Sequence, residues 1–277
     1  MLAPQEIQNF CQWLKLKTSI SLNMDKAYLI ESRLASVIKD NKFQSVQQLF
    51  DILLVQKNAS AQIEKQVINV MTTNETSFFR DQHPFDTLQK VILPELIKLK
   101  QSVKTLNIWS AAASSGQEVY SLVMLIKEYF PQLASWKINI TATDISSLIL
   151  ERAKSGIFNQ FEVSRGLSPS FLTKYFQRPK QSPTSWQIRD DLRSMVQFQL
   201  LNLSSPLWPL STQFDLVLIR NVLIYFEMED KKKILDRIKK TMNPQGVLML
   251  GSSETLNNVH SSFVAHKNAQ TIYYKFA

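Results

Sequence analysis

The residues best suited to chemistry gather around one stretch, Leu106 to Tyr120, which reads LNIWSAAASSGQEVY. It begins with apolar and aromatic residues, passes through a run of very small side chains and continues into an amphipathic segment. This is the order strand, tight turn, helix. Small side chains let the backbone approach a ligand closely, and the first turn of a helix offers free N–H groups to a nucleotide or a carboxylate. Dinucleotide-binding turns have three glycines, whereas this stretch has only Gly116, so by itself it fits a ligand site and plain packing equally well.

Polar side chains follow two further apolar strands. The segment Lys137 to Asp144 (KINITATD) ends on a carboxylate, at the place where folds of this kind bind ribose hydroxyls. The segment 214–226 (FDLVLIRNVLIYF) runs directly into Arg220, Asn221 and Tyr225. Side chains after the carboxyl ends of parallel strands lie in the ligand crevice. We therefore expect the three strand ends to converge on one site.

A segment rich in both aromatic and polar residues precedes these strands, at Met71 to Phe85 (MTTNETSFFRDQHPF). Phe78 and Phe79 need burial, and burying them would fix the neighbouring polar residues against a solid surface. Those polar residues are Asn74, Thr76 and Arg80. We interpret the segment as a candidate lid or entrance strap of the site.

The elements that must position these residues are predicted by periodicity. Strands are expected near 105–110, 138–143, 196–201, 214–219 and 247–250, and helices near 117–130, 146–154 and 229–242. Alternating strands and helices predict an α/β fold with a parallel sheet. We also predict a turn at 243–246 (NPQG), an antiparallel hairpin at 263–276 that closes the sheet edge, and an insertion at about 158–195, where the pattern breaks.

Residues 1–72 show helical periodicity without a convincing strand, which predicts a small helical domain. Within it, Asp25 to Asp40 places an apolar stripe on one face of a helix. Lys26 and Arg33 are seven positions apart and share another face. Two basic residues on an exposed helix face need no functional explanation.

Length and composition exclude several classes of protein. The 277 residues, 44% of them hydrophobic, suit a main α/β domain of about 200 residues and a smaller one. No apolar run is long enough to span a membrane and the N-terminus does not resemble a signal peptide, so we expect a cytoplasmic protein without membrane insertion. The single Cys11 cannot form an intrachain disulfide, and the three histidines have no ligand spacing, so we expect no metal.

The formal net charge of +9 favours an acidic partner. Nucleic-acid binding usually needs a concentrated basic patch with interleaved aromatics, whereas the lysines here are dispersed. The densest basic run, at 231–240, follows three acidic residues, which is how a helix complements its own dipole. We interpret it as a solvated helix face and expect no nucleic-acid partner.

Together these segments resemble the CheR family of S-adenosylmethionine-dependent chemotaxis receptor methyltransferases. The resemblance covers nearly the whole chain and is carried by the segments YLIESRL, NETSFFR, WSAAASSGQEVYS, ATD, AKSGIF, LNL, RNVLIYF and NPQGVLMLGSSE. It implies a Rossmann-like class I methyltransferase sheet with an N-terminal helical domain and a small inserted β-subdomain. The implied domains are a helical domain at 1–72, a linker that contacts the cofactor site at 73–84, and a methyltransferase domain at 85–277 with the insertion at about 158–195.

The resemblance also assigns residues and partners. The expected cofactor is S-adenosylmethionine, leaving S-adenosylhomocysteine, and the expected substrates are glutamates in the cytoplasmic helical domain of chemoreceptors. We expect a monomer. The implied cofactor-binding residues are Asn74, Thr76, Arg80, Glu118, Asp144, Asn202, Leu203, Arg220 and Asn221. The implied catalytic residues are Arg80 and Tyr225, although sequence alone would make Tyr225 a core tyrosine, and the implied docking residues are Lys26 and Arg33.

One departure concerns tethering. Family members that bind a C-terminal receptor pentapeptide carry a glycine-containing loop in the inserted subdomain, whereas 178–186 (RPKQSPTSW) has prolines and no glycine. We therefore expect methylation to be independent of a pentapeptide tether.

The chemistry suits the residues present. A glutamate carboxylate is ionised at neutral pH, so methyl transfer to it needs alignment and exclusion of water rather than a general base. The sequence offers no plausible Ser/His/Asp or Cys/His set. Two alternatives stay open: a methyltransferase of another substrate on the same sheet, and a non-catalytic module that senses the cofactor.

Overall fold

The computed structural model describes residues 2–22, 27–56, 59–180, 182–257 and 259–277. The N-terminal part is helical. Its helices are α1 (Pro4–Thr18), α2 (Ala27–Asp40), α3 (Val46–Phe50), which continues as a π turn (Asp51–Val55), and α4 (Ala61–Met71). They enclose a small core of their own that contains Phe10, Leu34 and Val67, each with no or almost no exposed surface.

Helices and strands alternate through the rest of the chain. The helices are α5 (His83–Thr87) with a π turn (Leu88–Ile92), α6 (Leu93–Leu99), α7 (Gln117–Tyr129) followed by a 3-10 turn (Pro131–Ser135), α8 (Ser147–Ser155), α9 (Gln160–Ser164), α10 (Pro169–Tyr175), α11 (Asp190–Arg193) and, after a 3-10 turn (Leu223–Tyr225), α12 (Met228–Thr241). The strands are β1 (Thr105–Ala111), β2 (Lys137–Asp144), β3 (Ile157–Phe158), β4 (Phe176–Gln177), β5 (Trp186–Ile188), β6 (Val196–Leu200), β7 (Phe214–Ile219), β8 (Met242–Leu250), β9 (Phe263–Asn268) and β10 (Thr271–Phe276).

Seven strands form the central sheet in the order β6-β2-β1-β7-β8-β10-β9. The first five are parallel, and β10 pairs antiparallel with both β8 and β9. The predicted α/β class, the predicted strands and the hairpin at the sheet edge are therefore confirmed. Because β1 lies in the middle of the parallel strands, the turn after it opens at the centre of the sheet's carboxyl edge.

Alternation along β1 supplies both faces of the sheet. Leu106 and Ile108 face the core that α6 and α7 cover, whereas Trp109 and Ala111 face the core that α12 covers. All four side chains are buried, as expected for a parallel strand with helices on both sides.

The insertion contains a small antiparallel sheet in the order β3-β5-β4. Its side chains do not form a separate core: Phe158, Phe176 and Ile188 belong to the same buried cluster as α7. The insertion therefore rests on the main domain.

The predicted turn at 243–246 is wrong. These residues lie inside β8, which begins at Met242, directly after α12 ends at Thr241. Opposite β7, the register moves from Phe214–Met242 to Leu216–Val247, which is five positions along β8 for two along β7. The segment therefore forms a bulge, and the Asn243 side chain secures it by donating to Asp215 Oδ1 at 2.6 Å.

Within the described ranges, no helix combines the length and the apolar composition needed to cross a membrane.

Candidate functional site

A cleft of about 450 Å³ opens at the carboxyl ends of β1, β2, β6 and β7. Three parts of the chain line it: the end of α1 with part of α2, the segment 71–80, and the loops after those strands. The site residues predicted from the sequence that line it are Arg33, Asn74, Thr76, Arg80, Glu118, Asp144, Asn202, Leu203, Arg220, Asn221 and Tyr225. Lys26 lies outside the described residues.

The turn after β1 is bent tightly enough to require small side chains. Ala112, Ser114 and Gly116 have φ values of 56°, 52° and 94°, in the left-handed region that larger side chains rarely adopt. A Cβ on Gly116 would lie 3.1 Å from the Tyr120 ring and 3.2 Å from the Cβ of Ala153. The single glycine is therefore explained by conformation and close packing, and the turn leaves room for a ligand above it.

Asp144 joins this turn to the end of β2. Its Oδ2 accepts from the backbone N–H of Ser114 and its Oδ1 from that of Ser146, both at 2.9 Å. The residue is only 6% exposed, and burial raises the pKa of its carboxyl although these backbone N–H groups oppose the shift. Among the described residues its donors are N–H groups and not charged side chains, so the carboxylate keeps acceptor capacity for a neutral hydroxyl donor.

Arg220 lies at the floor of the cleft between two carboxylates. Its Nη1 donates to Glu118 Oε2 at 2.9 Å and its Nη2 to Asp81 Oδ2 at 3.0 Å, and its side chain is 1% exposed. Nη2 also donates to the Arg80 carbonyl at 3.1 Å. The second oxygen of Glu118 accepts from Ser110 Oγ at 2.9 Å. The charge of Arg220 is therefore neutralised within the protein, and the guanidinium ties three distant segments together.

Asp81 was not predicted as a site residue. It follows Arg80 in the sequence, but its partner Arg220 is 139 positions away, so neither spacing nor periodicity indicates the pair. The one sequence feature that could have drawn attention to Asp81 is its position directly after Phe78, Phe79 and Arg80.

The segment before α5 is fixed in a strained path. Phe79, Asp81 and Gln82 have φ values of 46°, 67° and 44°. The Phe79 N–H donates to Ser121 Oγ on α7 at 2.9 Å. Phe78 is 1% exposed and packs edge-on against Phe158 at 4.9 Å between ring centroids. The burial expected for this aromatic pair is confirmed for Phe78, while Phe79 packs partly buried against the same core.

Arg80 extends from this path along the cleft wall. Its Nη1 donates to the Glu75 carbonyl at 3.0 Å, and among the described residues it forms no salt bridge. Nearby, the Asn74 carbonyl accepts from Ser114 Oγ at 3.0 Å, which joins the segment to the turn after β1. Unlike Arg220, Arg80 is half-buried and keeps donors for an anionic ligand group.

Asn202, after β6, is engaged by the protein itself. Its Nδ2 donates to the Lys17 carbonyl at 2.8 Å, and its Oδ1 accepts from the N–H of Ser204 at 2.9 Å. The residue lines the cleft as predicted, but its amide connects the loop to α1. The adjacent Leu203 is buried and presents an apolar surface.

The segment after β7 carries Asn221 and Tyr225. Asn221 has a φ of 58°, and Tyr225 ends the 3-10 turn that follows. The Tyr225 carbonyl accepts from the N–H of Ser21 at 3.0 Å. The ring is half-buried at the cleft, so Tyr225 is not a fully buried core tyrosine.

Arg33 faces the cleft from α2. Its Nη1 donates to the Met71 carbonyl at 2.7 Å and its Nη2 to Thr73 Oγ1 at 3.3 Å. It is half-buried, which is unusual for a residue on a solvated helix face. The structure thus places Arg33 at the joint between α2 and the segment after α4.

Two family models and several relatives match most of the chain. Residues 5–72 match the family described as CheR methyltransferase, all-alpha domain, and residues 74–272 match CheR methyltransferase, SAM binding domain. Chemotaxis protein methyltransferase 1 of Pseudomonas aeruginosa is 41% identical over 261 residues, covering 93% of this chain and 92% of the relative. Chemotaxis protein methyltransferase 1 of Vibrio cholerae is 35% identical over 276 residues, covering 99% and 98%. Chemotaxis protein methyltransferase of Borreliella burgdorferi is 34% identical over 241 residues, covering 86% and 83%.

Proposed function

This chain belongs to the CheR methyltransferase family, and from that membership we propose that it transfers a methyl group to glutamate side chains of chemoreceptors. Its cofactor is S-adenosylmethionine, and its fold is that of a class I methyltransferase. The proposed product on the receptor is a glutamate methyl ester. The reaction would take place in the cytoplasm, where the receptor's helical domain lies.

The cleft fits the cofactor. A volume of about 450 Å³ lies within the range of small-molecule sites, roughly 300 to 1,000 Å³. The carboxylate of Asp144 is buried without a cationic partner among the described residues, which suits an acceptor of ribose hydroxyls. The apolar Leu203 and Ile145 line the same cleft and offer surface to an aromatic base.

At the other end of the cleft, we propose that Glu118, Arg80, Asn74 and Thr76 hold the amino-acid portion of the cofactor. Glu118 is 13% exposed at its side chain and already balances Arg220, so it adds little net charge. Arg80 is the better candidate for a carboxylate, because among the described residues it forms no salt bridge.

The observation that carries the proposal is this difference between the two arginines that line the cleft. Arg220 is ion-paired with Glu118 and Asp81, whereas Arg80 keeps N–H donors for a carboxylate. When bound, the cofactor supplies an electrophilic methyl group. A glutamate carboxylate needs no proton removed, and the described residues that line the cleft include neither histidine nor cysteine. The chain's contribution is to orient the carboxylate and to exclude water, with Tyr225 shaping the wall beside the transferred methyl.

We propose a separate role for each of the predicted domains. Residues 1–72 would dock the receptor, 73–84 would contact the cofactor, and 85–277 would carry the transfer site, with the insertion at about 158–195. In the insertion, the Arg178 guanidinium stacks on the Trp186 ring at 3.6 Å and donates to the Ser185 carbonyl at 3.1 Å. The proposal that receptors are recognised without a pentapeptide tether rests on the sequence of this loop, which has prolines and no glycine between 178 and 186.

The test uses the purified protein, radiolabelled S-adenosylmethionine and membranes containing the chemoreceptors of the source organism. Methyl esters release volatile methanol in mild alkali, whereas methylated nitrogen does not. We expect alkali-labile label on receptors and none on receptors whose labelled glutamates are replaced by glutamine. Alkali-stable label, or label on nucleic acid, would contradict the proposal.

A further inference from the structure

Glu254 connects two loops at the edge of the transfer site. Its Oε2 accepts from the backbone N–H groups of Gly251 and Asn221, each at 2.7 Å. Its Oε1 accepts from the N–H of Ile224 at 3.3 Å. Gly251 follows β8 and Asn221 follows β7, so one carboxylate bridges the ends of two neighbouring strands.

The loop that Glu254 contacts cannot be held by the sheet. Asn221 turns into the left-handed region at φ 58°, which takes its N–H out of the strand ladder. Ile224 lies in the 3-10 turn 223–225, whose first N–H groups have no partner within the turn. Glu254 accepts hydrogen bonds from the N–H groups on both sides of this bend. If those backbone N–H groups were left unpaired, the loop would be destabilised.

Close packing restricts the same place. A Cβ on Gly251 would lie 2.6 Å from Asn221 Nδ2 and 2.7 Å from its backbone nitrogen. The two loops therefore touch through backbone, and a side chain at 251 would displace Asn221. Position 251 requires glycine because of this approach rather than because of its own φ.

Among the described residues, the charge of Glu254 is balanced by backbone N–H dipoles alone. Among the described residues it forms no salt bridge, and it is half-buried. A carboxylate that accepts several N–H groups forms strong, short hydrogen bonds with fixed directions. Such a group fixes the geometry of a loop more tightly than an exposed ion pair would.

We propose that Glu254 is a positioning residue, which holds the segment Asn221–Tyr225 so that Tyr225 lies correctly at the cleft for methyl transfer. The inference rests on the proposed function, because it concerns the same transfer site. Glu254 does not line the cleft and acts through the loop. The cofactor residues on the opposite wall, Asp144 and Arg80, have no contact with it among the hydrogen bonds described.

The test compares Glu254→Ala and Glu254→Gln with Glu229→Gln, a matched change at a glutamate that is 75% exposed on the next helix. We expect kcat of Glu254→Ala to fall roughly 10- to 100-fold, the scale of a small misplacement of reacting groups. The cofactor Kd measured by calorimetry should change less, because Asn221 is the one implied cofactor-binding residue that is hydrogen-bonded to Glu254 among the described residues. Glu254→Gln keeps one oxygen for the N–H groups of Asn221 and Gly251 but points its NH₂ group at the Ile224 N–H. Its kcat should therefore lie between those of the wild type and Glu254→Ala. Glu229→Gln should match the wild type.

A second readout does not depend on which substrate is methylated. Amide hydrogen exchange at Asn221 and Ile224 should accelerate in Glu254→Ala. In Glu254→Gln, exchange should accelerate mainly at Ile224, and in Glu229→Gln it should stay unchanged at both residues. If the wild type makes no receptor ester, the proposed function fails and exchange alone decides whether Glu254 holds the loop. Unchanged exchange and unchanged kcat in folded Glu254→Ala would overturn the inference, and so would an equal loss of kcat, cofactor affinity and melting temperature, which indicates general destabilisation. If Glu254→Ala does not fold, the same criteria apply to Glu254→Gln.

Discussion

The side-chain amide of Asn202 donates to the backbone carbonyl of Lys17 at 2.8 Å, joining residues that are 185 positions apart. A second hydrogen bond, from the N–H of Ser21 to the Tyr225 carbonyl at 3.0 Å, joins the residues just after α1 to the segment Asn221–Tyr225. The last turn of α1 and the segment that follows it thus each contact one loop of the cofactor cleft. The helical part that is proposed to dock the receptor is therefore in direct contact with two loops that line the cleft.

The first prediction concerns this joint. Asn202→Ala removes one neutral hydrogen bond, which contributes about 0.5 to 1.5 kcal/mol. We expect faster amide exchange at residues 17–22 and a weaker cofactor affinity, with little change in the exchange of the sheet. Hydrogen exchange followed by mass spectrometry measures the first effect and calorimetry the second. The exposed Asn257→Ala serves as control, and unchanged exchange at 17–22 would mean that the bond does not secure the segment.

The second prediction concerns Arg220. Arg220→Met should lower the free energy of unfolding by about 3 to 5 kcal/mol, because it leaves the Glu118 and Asp81 carboxylates near each other without their shared cation. Urea unfolding measures the loss. Adding Glu118→Gln to this variant should recover part of it, since one unpaired charge is removed. A double variant no more stable than Arg220→Met would show that charge pairing is not the cause.

The third prediction separates Arg80 from Arg220. Arg80→Ala should lower kcat/KM by roughly 10- to 150-fold, which corresponds to the loss of a charged hydrogen bond of about 1.5 to 3 kcal/mol. The melting temperature should change little, because Arg80 donates to one carbonyl and forms no salt bridge among the described residues. Arg165→Ala, at an arginine 47% exposed and 3.7 Å from Glu75, is the control. Loss of rate and of melting temperature in proportion would assign Arg80 a structural role.

The strands and the positions of the strand ends could largely be predicted from the sequence, because they depend on residues close together in the chain. The run 214–219, apolar except for Asp215, is bounded by polar residues at both ends and forms β7 over the same residues. Asp144 ends a strand by its position in the pattern, and its neighbours in the sheet follow from the parallel topology. Periodicity and strand ends thus bring the cleft residues together without knowledge of side-chain contacts.

The contacts that organise the cleft could not be predicted, because each depends on a partner distant in sequence. Glu254 reaches Asn221 across 33 positions and Asp81 reaches Arg220 across 139. The bulge in β8 depends on Asp215, which receives the Asn243 amide. Local turn propensity indicates an interruption at that point but not that the strand continues through it.

The fourth prediction is a dependence on pH. Burial raises the pKa of Asp144, so in the protein without cofactor its carboxyl takes up a proton at a higher pH than an ordinary aspartate. An ionised carboxylate is the better acceptor for two hydroxyls, so cofactor affinity should fall as pH falls through this raised pKa. Stability without cofactor should change in the opposite direction. With a folded-state pKa above the unfolded one, the contribution of Asp144 is fully present below the unfolded pKa and is lost as pH rises through the folded pKa.

Asp144→Asn isolates these effects from other titrating groups. Its cofactor affinity should be weaker than that of the wild type at neutral pH and lack the acid-dependent step, and the difference in unfolding free energy between the two proteins should vary with pH in the window just stated. Asp144→Ala should also weaken binding, by about 1.5 to 3 kcal/mol for each charge-assisted bond lost. Unchanged cofactor affinity in a folded variant would remove Asp144 from the site.

The last prediction concerns how the receptor is found. The protein carries a net charge of +9, and receptor helices that present glutamates are acidic partners, so surface attraction should speed their encounter. On the proposal that no pentapeptide tether is used, recognition of the receptor depends more heavily on this attraction. We expect kcat/KM for receptor to fall as salt is added, mainly through KM, because mobile ions screen exposed charges within a Debye length of about 8 Å at physiological ionic strength.

The two predicted docking residues require separate variants, because Arg33 is bonded to the Met71 carbonyl and lines the cleft. Arg33→Glu should disturb the cleft as well as the surface, and so lower both cofactor affinity and kcat/KM. Lys26→Glu, at a position outside the described residues, tests the proposed docking role: kcat/KM for receptor should fall, its salt dependence should become shallower, and the cofactor Kd should stay the same. Lys90→Glu, on the segment between α5 and α6 and away from the cleft lining, controls for net charge. Equal effects of Lys26→Glu and Lys90→Glu would show that overall charge steers the receptor, and a wild-type rate indifferent to salt would argue against electrostatic docking altogether.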